Sequence, residues 1–369
     1  MQANKNIQKL TPYLSIPHKI WNSSQSNILK LDWNEATIPP SPYVIESIKK
    51  FLVNGNLNWY PNTKNLYLLD KIAEYTKQIN SSFVELFEGS DSAHEYIIDV
   101  FLDKCDKIGI VSPTYDNFRS RANGVGIETI SFTLDDNFNL DFDSLEYFIH
   151  EKRIKLLYLC NPNNPTGKSY NIQKIKSLII NNPNVMFIID EAYYEFTSQS
   201  VCDLVEQCNN LIITRTFSKA FALASFRIGY IISHPENIES INKLRNPKSV
   251  PMLSQIAANA ALEDLQYMRD YVDEVSCARM EFVKFLNTLT TGGGGGGIFN
   301  DSVANFVLIQ NENISLFVGF LEKEGIFIRN YSHLISKNCR ISIGTRNQMS
   351  YVAEKIQEFA KKQGGFHLV

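Results

Sequence analysis

The middle of the chain alternates short, nearly continuous apolar runs with stretches whose apolar residues recur at helical spacing. The apolar runs predict strands at residues 83–87, 107–111, 127–132, 155–160, 185–189, 211–214 and 226–232. Amphipathic stretches between them, at 92–102, 142–150 and 172–180, predict helices. Apolar strands separated by helices indicate an α/β fold with a mostly parallel seven-stranded sheet that is covered on both faces. The seventh run follows the sixth too closely for a long crossover, so we expect it to be the antiparallel strand.

The pattern changes after about residue 235. A long helical region at 253–289, strands at 304–309, 326–329 and 339–343, and a closing helix at 347–362 predict a smaller α+β domain. The first fifty residues are rich in Pro, Ser and Asn. We therefore predict three parts: an arm at 1–50 that joins the small domain, a large domain at 51–238, and a small domain at 239–369. Six consecutive glycines at 292–297 predict a mobile surface loop.

Composition narrows the function. A chain of 369 residues, 44% hydrophobic and 20% charged, has the balance of a globular protein of roughly two domains. A net charge of −3 gives no basic field for nucleic acid, and no apolar run reaches the ~18 residues that span a bilayer. The polar start has no signal-peptide core, and six scattered cysteines form no CxxC pair. We expect a cytoplasmic enzyme that contacts neither nucleic acid nor a membrane.

The strongest chemical signal is Thr216-Phe217-Ser218-Lys219, which follows an apolar strand and precedes Arg227 by eight residues. A partly desolvated lysine at a strand end has a lowered pKa and can attack an aldehyde to form a Schiff base. The hydroxyls of Thr216 and Ser218 and the guanidinium of Arg227 suit a phosphate dianion. A solvated surface lysine is the alternative interpretation.

Two further signals follow buried strands. Asp190, in Asp190-Glu191-Ala192-Tyr193, stands where α/β folds place ligand groups, although a helix N-cap would also explain it. An aspartate there can pair with a protonated pyridine nitrogen. The run Asn161-Pro162-Asn163-Asn164-Pro165-Thr166-Gly167 predicts a rigid turn that presents the Asn164 amide.

The fourth signal is Glu88-Gly89-Ser90-Asp91-Ser92, between a strand and a helix. Small residues at a helix start leave backbone N–H groups free for an anion, whereas Ser90 or Ser92 could also act as an ordinary cap. All four signals stand at strand ends. We therefore expect them to converge on one crevice.

Together these motifs resemble a known family. NPxNPTG, DEAYxxF, T-x-SKAFALAxxRxGY and a C-terminal R-I-x-x-G-T-R are similar to those of the pyridoxal-phosphate (PLP) aminotransferases of the aspartate aminotransferase fold, in particular the histidinol-phosphate aminotransferases. The resemblance runs from Leu31 to Arg346. It implies a homodimer with shared active sites and PLP as the cofactor.

The resemblance also implies residue roles. Lys219 would form the Schiff base and move the proton, Asp190 would pair with the pyridine nitrogen, and Tyr193 with Asn164 would bond the ring oxygen. The remaining implied roles are ring stacking by Tyr115, phosphate binding by Ser90, Asp91, Thr216, Ser218, Arg227 and Tyr60 of the neighbouring subunit, binding of the substrate α-carboxylate by Arg340, and binding of a substrate phosphate by Arg329.

The sequence departs from the family pattern at 34–42, where an aliphatic, proline-bearing run replaces N-E-N-P-x-G-P, and at Ser92, where relatives often carry glutamate. The acceptor therefore stays open between histidinol phosphate and a three-carbon keto phosphate such as dihydroxyacetone phosphate, with L-glutamate as donor. A PLP-dependent decarboxylase of an O-phospho amino acid is the alternative enzyme. A PLP-binding regulator is disfavoured, because such proteins carry a basic winged-helix segment and this chain has no basic tract.

Overall fold

The computed structural model describes residues 1–10, 19–22, 28–115, 117–289 and 301–362. The strands are β1 (Leu29–Leu31), β2 (Val84–Phe87), β3 (Lys107–Ser112), β4 (Glu128–Thr133), β5 (Leu156–Cys160), β6 (Met186–Asp190), β7 (Leu211–Thr216), β8 (Gly229–Ser233), β9 (Phe306–Gln310), β10 (Ile326–Asn330) and β11 (Asn338–Ser342). The helices are α1 (Pro42–Asn54), α2 (Leu66–Tyr75), α3 (Ser90–Phe101), α4 (Asn117–Gly124), α5 (Phe142–Lys152), α6 (Ile172–Asn181), α7 (Pro235–Asn242), α8 (Met252–Glu263), α9 (Leu265–Thr288), α10 (Ile314–Lys323) and α11 (Arg346–Lys362).

Seven strands form the large sheet in the order β2-β8-β7-β6-β5-β3-β4. β8 is antiparallel to both β2 and β7, and the other pairs are parallel, which confirms the predicted mostly parallel sheet and its antiparallel member. Strands such as β5, β7 and β8 are buried along their whole length because helices cover both faces. The predicted start of the seventh strand was wrong: Ala224–Phe226 forms a 3-10 turn, and Arg227 adopts a positive φ of 47°.

The small sheet has the order β1-β10-β11-β9. The N-terminal arm supplies β1, which pairs in parallel with β10 through Leu29 and Ile326. The predicted part boundaries at 50/51 and 238/239 fall inside α1 and α7, and the division into three parts stays a prediction. The glycine run at 292–297 lies outside the described residues.

The helical region predicted at 253–289 is two helices that meet at Asp264. Asp264 breaks the helical path with φ −124° and ψ 53°, and its carboxylate accepts a hydrogen bond from Ser41 at the start of α1. The alanine-rich face of α8 packs against α1. Among the described residues, no helix combines the length and the apolar character needed to cross a membrane.

Candidate active site

A cavity of about 670 Å³ opens where the carboxyl ends of β5, β6 and β7 face the small sheet. Twelve of the thirteen predicted site residues line it: Ser90, Asp91, Tyr115, Asn164, Asp190, Tyr193, Thr216, Ser218, Lys219, Arg227, Arg329 and Arg340. The expected convergence of strand ends on one crevice is therefore found. Tyr60 is the exception: its side chain is 79% exposed, and the Lys248 ammonium lies 4.8 Å from its ring.

Lys219 stands three residues beyond the end of β7. Its ammonium nitrogen donates a hydrogen bond to the backbone oxygen of Trp33 at 2.9 Å. Burial lowers the pKa of Lys219 to about 8, and the positive charge of Arg340 adds to the effect. Lys219 thus reaches the neutral, nucleophilic form more readily than a surface lysine does.

Asp190 is the last residue of β6 and is only 2% exposed. The Tyr158 hydroxyl donates to its Oδ2 at 2.6 Å, and the backbone N–H of Ala192 donates to its Oδ1 at 3.1 Å. Burial raises the pKa of Tyr158, so this phenol stays protonated and acts as the donor. The carboxylate caps no α-helix, because only the short 3-10 turn Tyr194–Phe196 follows it.

Sequence reasoning missed Tyr158, which lies inside an apolar run and resembles a core residue. The signal is in the strand register. Cys160 pairs with Asp190 across β5 and β6, and Tyr158 is two residues earlier on the same face of β5 as Cys160. Once the register is known, the contact follows.

The anion-binding end of the cavity lies at the start of α3. Its N-cap, Gly89, has φ +92° and provides no side-chain cap, and Ser90 is the first residue of the helix, so neither serine caps it. The first backbone N–H groups of α3 therefore have no capping side chain. The φ of Gly89 strains any other residue, and a Cβ there would lie 2.8 Å from a terminal nitrogen of Arg227 and displace this guanidinium.

The hydroxyl groups of Thr216, the last residue of β7, and of Ser218 complete the anion-binding end of the cavity. Thr216 Oγ1 lies 2.9 Å from Ser218 Oγ and accepts the Ser218 backbone N–H at 3.1 Å. The Arg227 guanidinium lies 3.8 Å from the Asp91 carboxylate, and the Tyr115 hydroxyl donates to the same carboxylate at 2.8 Å. The site thus offers hydroxyls, a guanidinium and a helix start to one dianion.

Tyr193 lies at the centre of a hydrogen-bonded group. Its hydroxyl oxygen accepts from the Asn164 amide at 3.2 Å and from the Asn34 amide at 3.0 Å. Burial raises the pKa of Tyr193. Asn34 had no predicted role. The sequence gives only a weak signal for it, an asparagine within the unusual run at 34–42. In the structure this residue adopts a positive φ of 58°.

Two arginines face the cavity from the small sheet. Arg329 on β10 and Arg340 on β11 are direct cross-strand partners. Arg340 is 4% exposed and donates to Asn164 Oδ1 at 2.6 Å, to the Tyr331 hydroxyl at 3.0 Å and to the Asp32 backbone oxygen at 2.6 Å. Arg329 is half-buried, and no carboxylate in the described part of the chain forms an ion pair with it.

An ion pair buried below the cavity joins the two central strand ends. Arg215, the residue before Thr216, donates from Nε to Glu191 Oε2 at 2.9 Å, and both side chains are 1% exposed. Glu191 directly follows Asp190, so the pair holds the ends of β6 and β7 together. Nearby, burial raises the pKa of Glu195 to about 7, and Glu195 accepts a hydrogen bond from Tyr75 at 3.3 Å.

Comparison with known proteins identifies the family. The sequence model described as "Aminotransferase class I and II" matches residues 26–356. The chain belongs to the class I and II aminotransferases. This membership confirms the predicted fold and the predicted enzyme class, a PLP-dependent aminotransferase.

Two curated relatives of this aminotransferase are informative. A dihydroxyacetone phosphate transaminase of Campylobacter jejuni is 99% identical over 369 residues, which is the whole of both chains. A histidinol-phosphate aminotransferase of Clostridium novyi is 32% identical over 324 residues, covering 87% of this chain and 88% of the relative.

Two solved structures show the same fold. The histidinol-phosphate aminotransferase of Sinorhizobium meliloti in complex with pyridoxal-5'-phosphate is 23% identical, with a TM-score of 0.85 over 97% of this chain and 98% of that chain. The L-threonine-O-3-phosphate decarboxylase of Porphyromonas gingivalis is 19% identical, with a TM-score of 0.77 over 90% and 100% of the two chains. The fold alone therefore does not separate transamination from decarboxylation.

Proposed function

We propose that this aminotransferase moves an amino group from L-glutamate to a three-carbon keto phosphate such as dihydroxyacetone phosphate. The observation that carries the proposal is Arg329, a cavity-lining guanidinium without a carboxylate partner among the described residues. A half-buried arginine in this state suits a phosphate dianion. The name of the relative that is 99% identical supports the three-carbon acceptor, and the histidinol-phosphate relatives make the keto compound that corresponds to histidinol phosphate the competing acceptor.

The residues of the cavity fit PLP. The uncapped start of α3, with Thr216, Ser218 and Arg227, suits its phosphate, since these groups line one cavity and can each donate a hydrogen bond. The buried Asp190 carboxylate suits a protonated ring nitrogen, and Lys219, with its lowered pKa, suits the aldehyde. When bound, PLP supplies an electron sink for the carbanion formed at the substrate α-carbon.

The side chains of the chain perform the remaining steps. Arg340 binds the α-carboxylate of glutamate through its guanidinium fork, and Arg329 binds the phosphate of the acceptor. Lys219, as a free amine, would remove the α-proton of the donor and deliver it to the aldehyde carbon of the cofactor, for which a pKa of about 8 is well placed. Asp190 holds the proton on the ring nitrogen, and the hydrogen bond from Tyr158 keeps its carboxylate oriented.

The test follows the two half-reactions separately. PLP-loaded protein mixed with L-glutamate should lose its visible absorbance and release 2-oxoglutarate, and dihydroxyacetone phosphate should then restore the absorbance. Histidinol phosphate and O-phosphothreonine are run in parallel, the first for reverse transfer and the second for CO2 release. Carbon dioxide from phosphothreonine with no change in glutamate would contradict the proposal in favour of a decarboxylase. Binding without turnover of any substrate would favour a regulator.

We further propose a cytoplasmic homodimer in which Tyr60 of the partner subunit reaches the phosphate site. In support, the chain exposes a run of apolar and aromatic side chains beside Tyr60, namely Leu52, Val53, Leu57, Trp59, Leu66 and Tyr67. A patch of this kind is typical of a protein–protein interface. All six cysteines are free thiols, as a reducing compartment requires. A fully active monomer in sedimentation would contradict the dimer.

A further inference from the structure

The hydrogen bonds around Tyr193 fix the direction of its hydroxyl proton. Ser342 orients the Asn34 amide. The backbone N–H of Asn34 donates to Ser342 Oγ at 2.9 Å, and the same hydroxyl lies 3.0 Å from Asn34 Oδ1. Among the described residues, Asn34 Oδ1 is the one acceptor within hydrogen-bond distance of the Ser342 hydroxyl. Because Ser342 is fully buried, its proton goes to Asn34 Oδ1, and the NH2 group of Asn34 faces Tyr193.

Arg340 orients the Asn164 amide. A guanidinium can only donate, so Asn164 Oδ1 must face Arg340, at 2.6 Å. The NH2 group of Asn164 therefore also faces the Tyr193 hydroxyl. Neither amide is free to turn, because each is oriented by a partner whose own polarity is fixed.

The Tyr193 hydroxyl receives both amides. A phenol has two lone pairs and one proton. Both lone pairs are occupied by amide donors, and in the described part of the chain the hydroxyl has no acceptor for its proton. Tyr193 lines the cavity, so the cavity is the direction left for the proton.

We propose that Asn34 is a positioning residue that fixes the Tyr193 hydroxyl as a hydrogen-bond donor into the cavity. Asn34 is well held for this task. It is 1% exposed, and its side chain and backbone N–H bond Ser342, whereas Asn305 bonds only its backbone carbonyl, at 3.0 Å. The inference rests on the proposed PLP function, because the acceptor in the cavity would be the ring oxygen of the cofactor.

A donor aimed at that oxygen favours negative charge on it. The visible absorbance of the bound cofactor changes with pH when the proton beside its ring oxygen is lost and the negative charge on that oxygen develops. Asn34→Leu removes one of the two amide donors that polarise the Tyr193 hydroxyl and fix its direction, which weakens the hydroxyl as a donor, and should raise the midpoint of this change by about 0.5–1 pH unit, at most the equivalent of one net hydrogen bond. Tyr193→Phe should raise it further.

The experiment is a double-mutant cycle read by absorbance titration of the PLP-loaded proteins. If Asn34 acts through the hydroxyl, Asn34→Leu causes no further shift in the Tyr193→Phe background. Asn305→Ala is the matched control, since it removes a bond to the Asn34 backbone and leaves the amide–phenol contact; its midpoint should equal that of the wild type. An equal shift from Asn34→Leu in both backgrounds would overturn the inference and show a purely structural role.

Ser342→Ala provides a second variant if Asn34→Leu does not fold. It removes the hydroxyl that orients the amide, and should give a smaller shift in the same direction that also vanishes in the Tyr193→Phe background. The cofactor proposal fails separately: a wild-type protein that gains no visible absorbance with PLP contradicts PLP binding. A coloured wild type whose midpoint ignores both Asn34→Leu and Ser342→Ala contradicts only the role of Asn34.

Discussion

The two walls of the cavity hold their charged groups in different ways. On the large-sheet wall, Asp190 is tied on both carboxylate oxygens, to Tyr158 and to the Ala192 backbone. On the small-sheet wall, two arginines stand opposite each other on neighbouring strands, and Arg340 is bonded through its two terminal nitrogens whereas its buried Nε has no partner among the described residues. Arg340 has three hydrogen-bond partners, whereas Arg329 has no carboxylate partner in the described part of the chain.

The two walls therefore have different tasks, one for the reaction chemistry and one for substrate specificity. The large-sheet wall comes from motifs at successive strand ends, and a preorganised carboxylate and lysine serve any amino acid that enters. We propose that the small-sheet wall sets which second substrate is accepted, because a cavity-lining guanidinium without a carboxylate partner among the described residues favours an anion. Substitutions in each wall should therefore affect different half-reactions.

Lys219→Ala should have the largest effect, because the lysine serves both half-reactions. We expect turnover to fall by more than about a thousandfold, with loss of the yellow cofactor absorbance and weak retention of PLP through its phosphate. Borohydride reduction of the native protein followed by peptide mapping should mark one lysine. A label on any lysine other than Lys219 would show that the large-sheet wall has been assigned wrongly.

Arg329→Met should damage one half-reaction. We expect a loss of about 2–5 kcal/mol in binding of the phosphorylated acceptor, roughly a 30- to 5000-fold weaker affinity, as for a truncated buried charge pair. The glutamate half-reaction should be nearly unchanged, since Arg340 binds its α-carboxylate. Single-turnover absorbance measurements check both.

The matched variant is Arg340→Met, which should impair the glutamate half-reaction strongly. If Arg329→Met damages both half-reactions equally, the comparison between the two arginines breaks down and Arg329 supports the fold.

Capture of PLP by the apoprotein should depend on pH through Lys219. Its pKa in the folded chain is lowered from 10.5 to about 8, so the reactive neutral form grows with pH below 8 and dominates above it. We therefore expect the capture rate to rise about tenfold per pH unit below 8 and to level off above. Stopped-flow absorbance from pH 6.5 to 9.5 tests this. A rise that continues unchanged to pH 9.5 would indicate an unperturbed lysine.

Tyr60→Phe tests the proposed contact of the partner subunit with the phosphate site, which neither wall supplies. We expect PLP to dissociate several times faster, by the loss of about one net hydrogen bond, with no change in the melting temperature. Dialysis against buffer, followed by absorbance, measures retention. Tyr67→Phe, in the same exposed run, is the control and should retain PLP normally. Equal retention in both variants would contradict a role for Tyr60.

Glu195→Gln should have the smallest effect and touches neither wall. Burial raises the pKa of Glu195 from 4.5 to about 7, so the folded state binds its proton more tightly than the unfolded state. Wild-type stability therefore falls as pH rises from about 4.5 to 7 and stays lower above 7. Glutamine removes this loss, and we expect a gain on the order of 1–3 kcal/mol in the free energy of unfolding at pH 8 and almost none at pH 4.5. Denaturant titrations at the two pH values check it, and an equal change at both would contradict it.

The sequence was sufficient for the large-sheet wall because its residues follow strands whose order and direction the apolar runs predict. Asp190 directly follows such a run, and Asn164 and Lys219 stand in the loops that follow the next ones. Tyr158 could not be found this way, since its contact depends on the register between β5 and β6. Asn34 is harder still: the hydroxyl that orients it belongs to Ser342, 308 residues away, and no local pattern encodes that contact.

The helix boundaries show a similar limit. The region at 253–289 has one continuous helical period, and the break at Asp264 coincides with a hydrogen bond between its carboxylate and Ser41 of a distant segment. Helical propensity alone carries no information about such a tertiary partner.

The parallel pairing of β1 with β10 has a consequence for biogenesis. Leu29 leaves the ribosome early, but its partner Ile326 is synthesised about 300 residues later. The large sheet, whose strands end at Ser233, can close during synthesis, while β1 and the Asn34 segment must wait for the last quarter of the chain. We expect the cavity to be the final feature to assemble, so a ribosome-stalled chain ending before β10 should contain a protease-resistant large sheet but lack Arg329 and Arg340 and bind no phosphorylated acceptor.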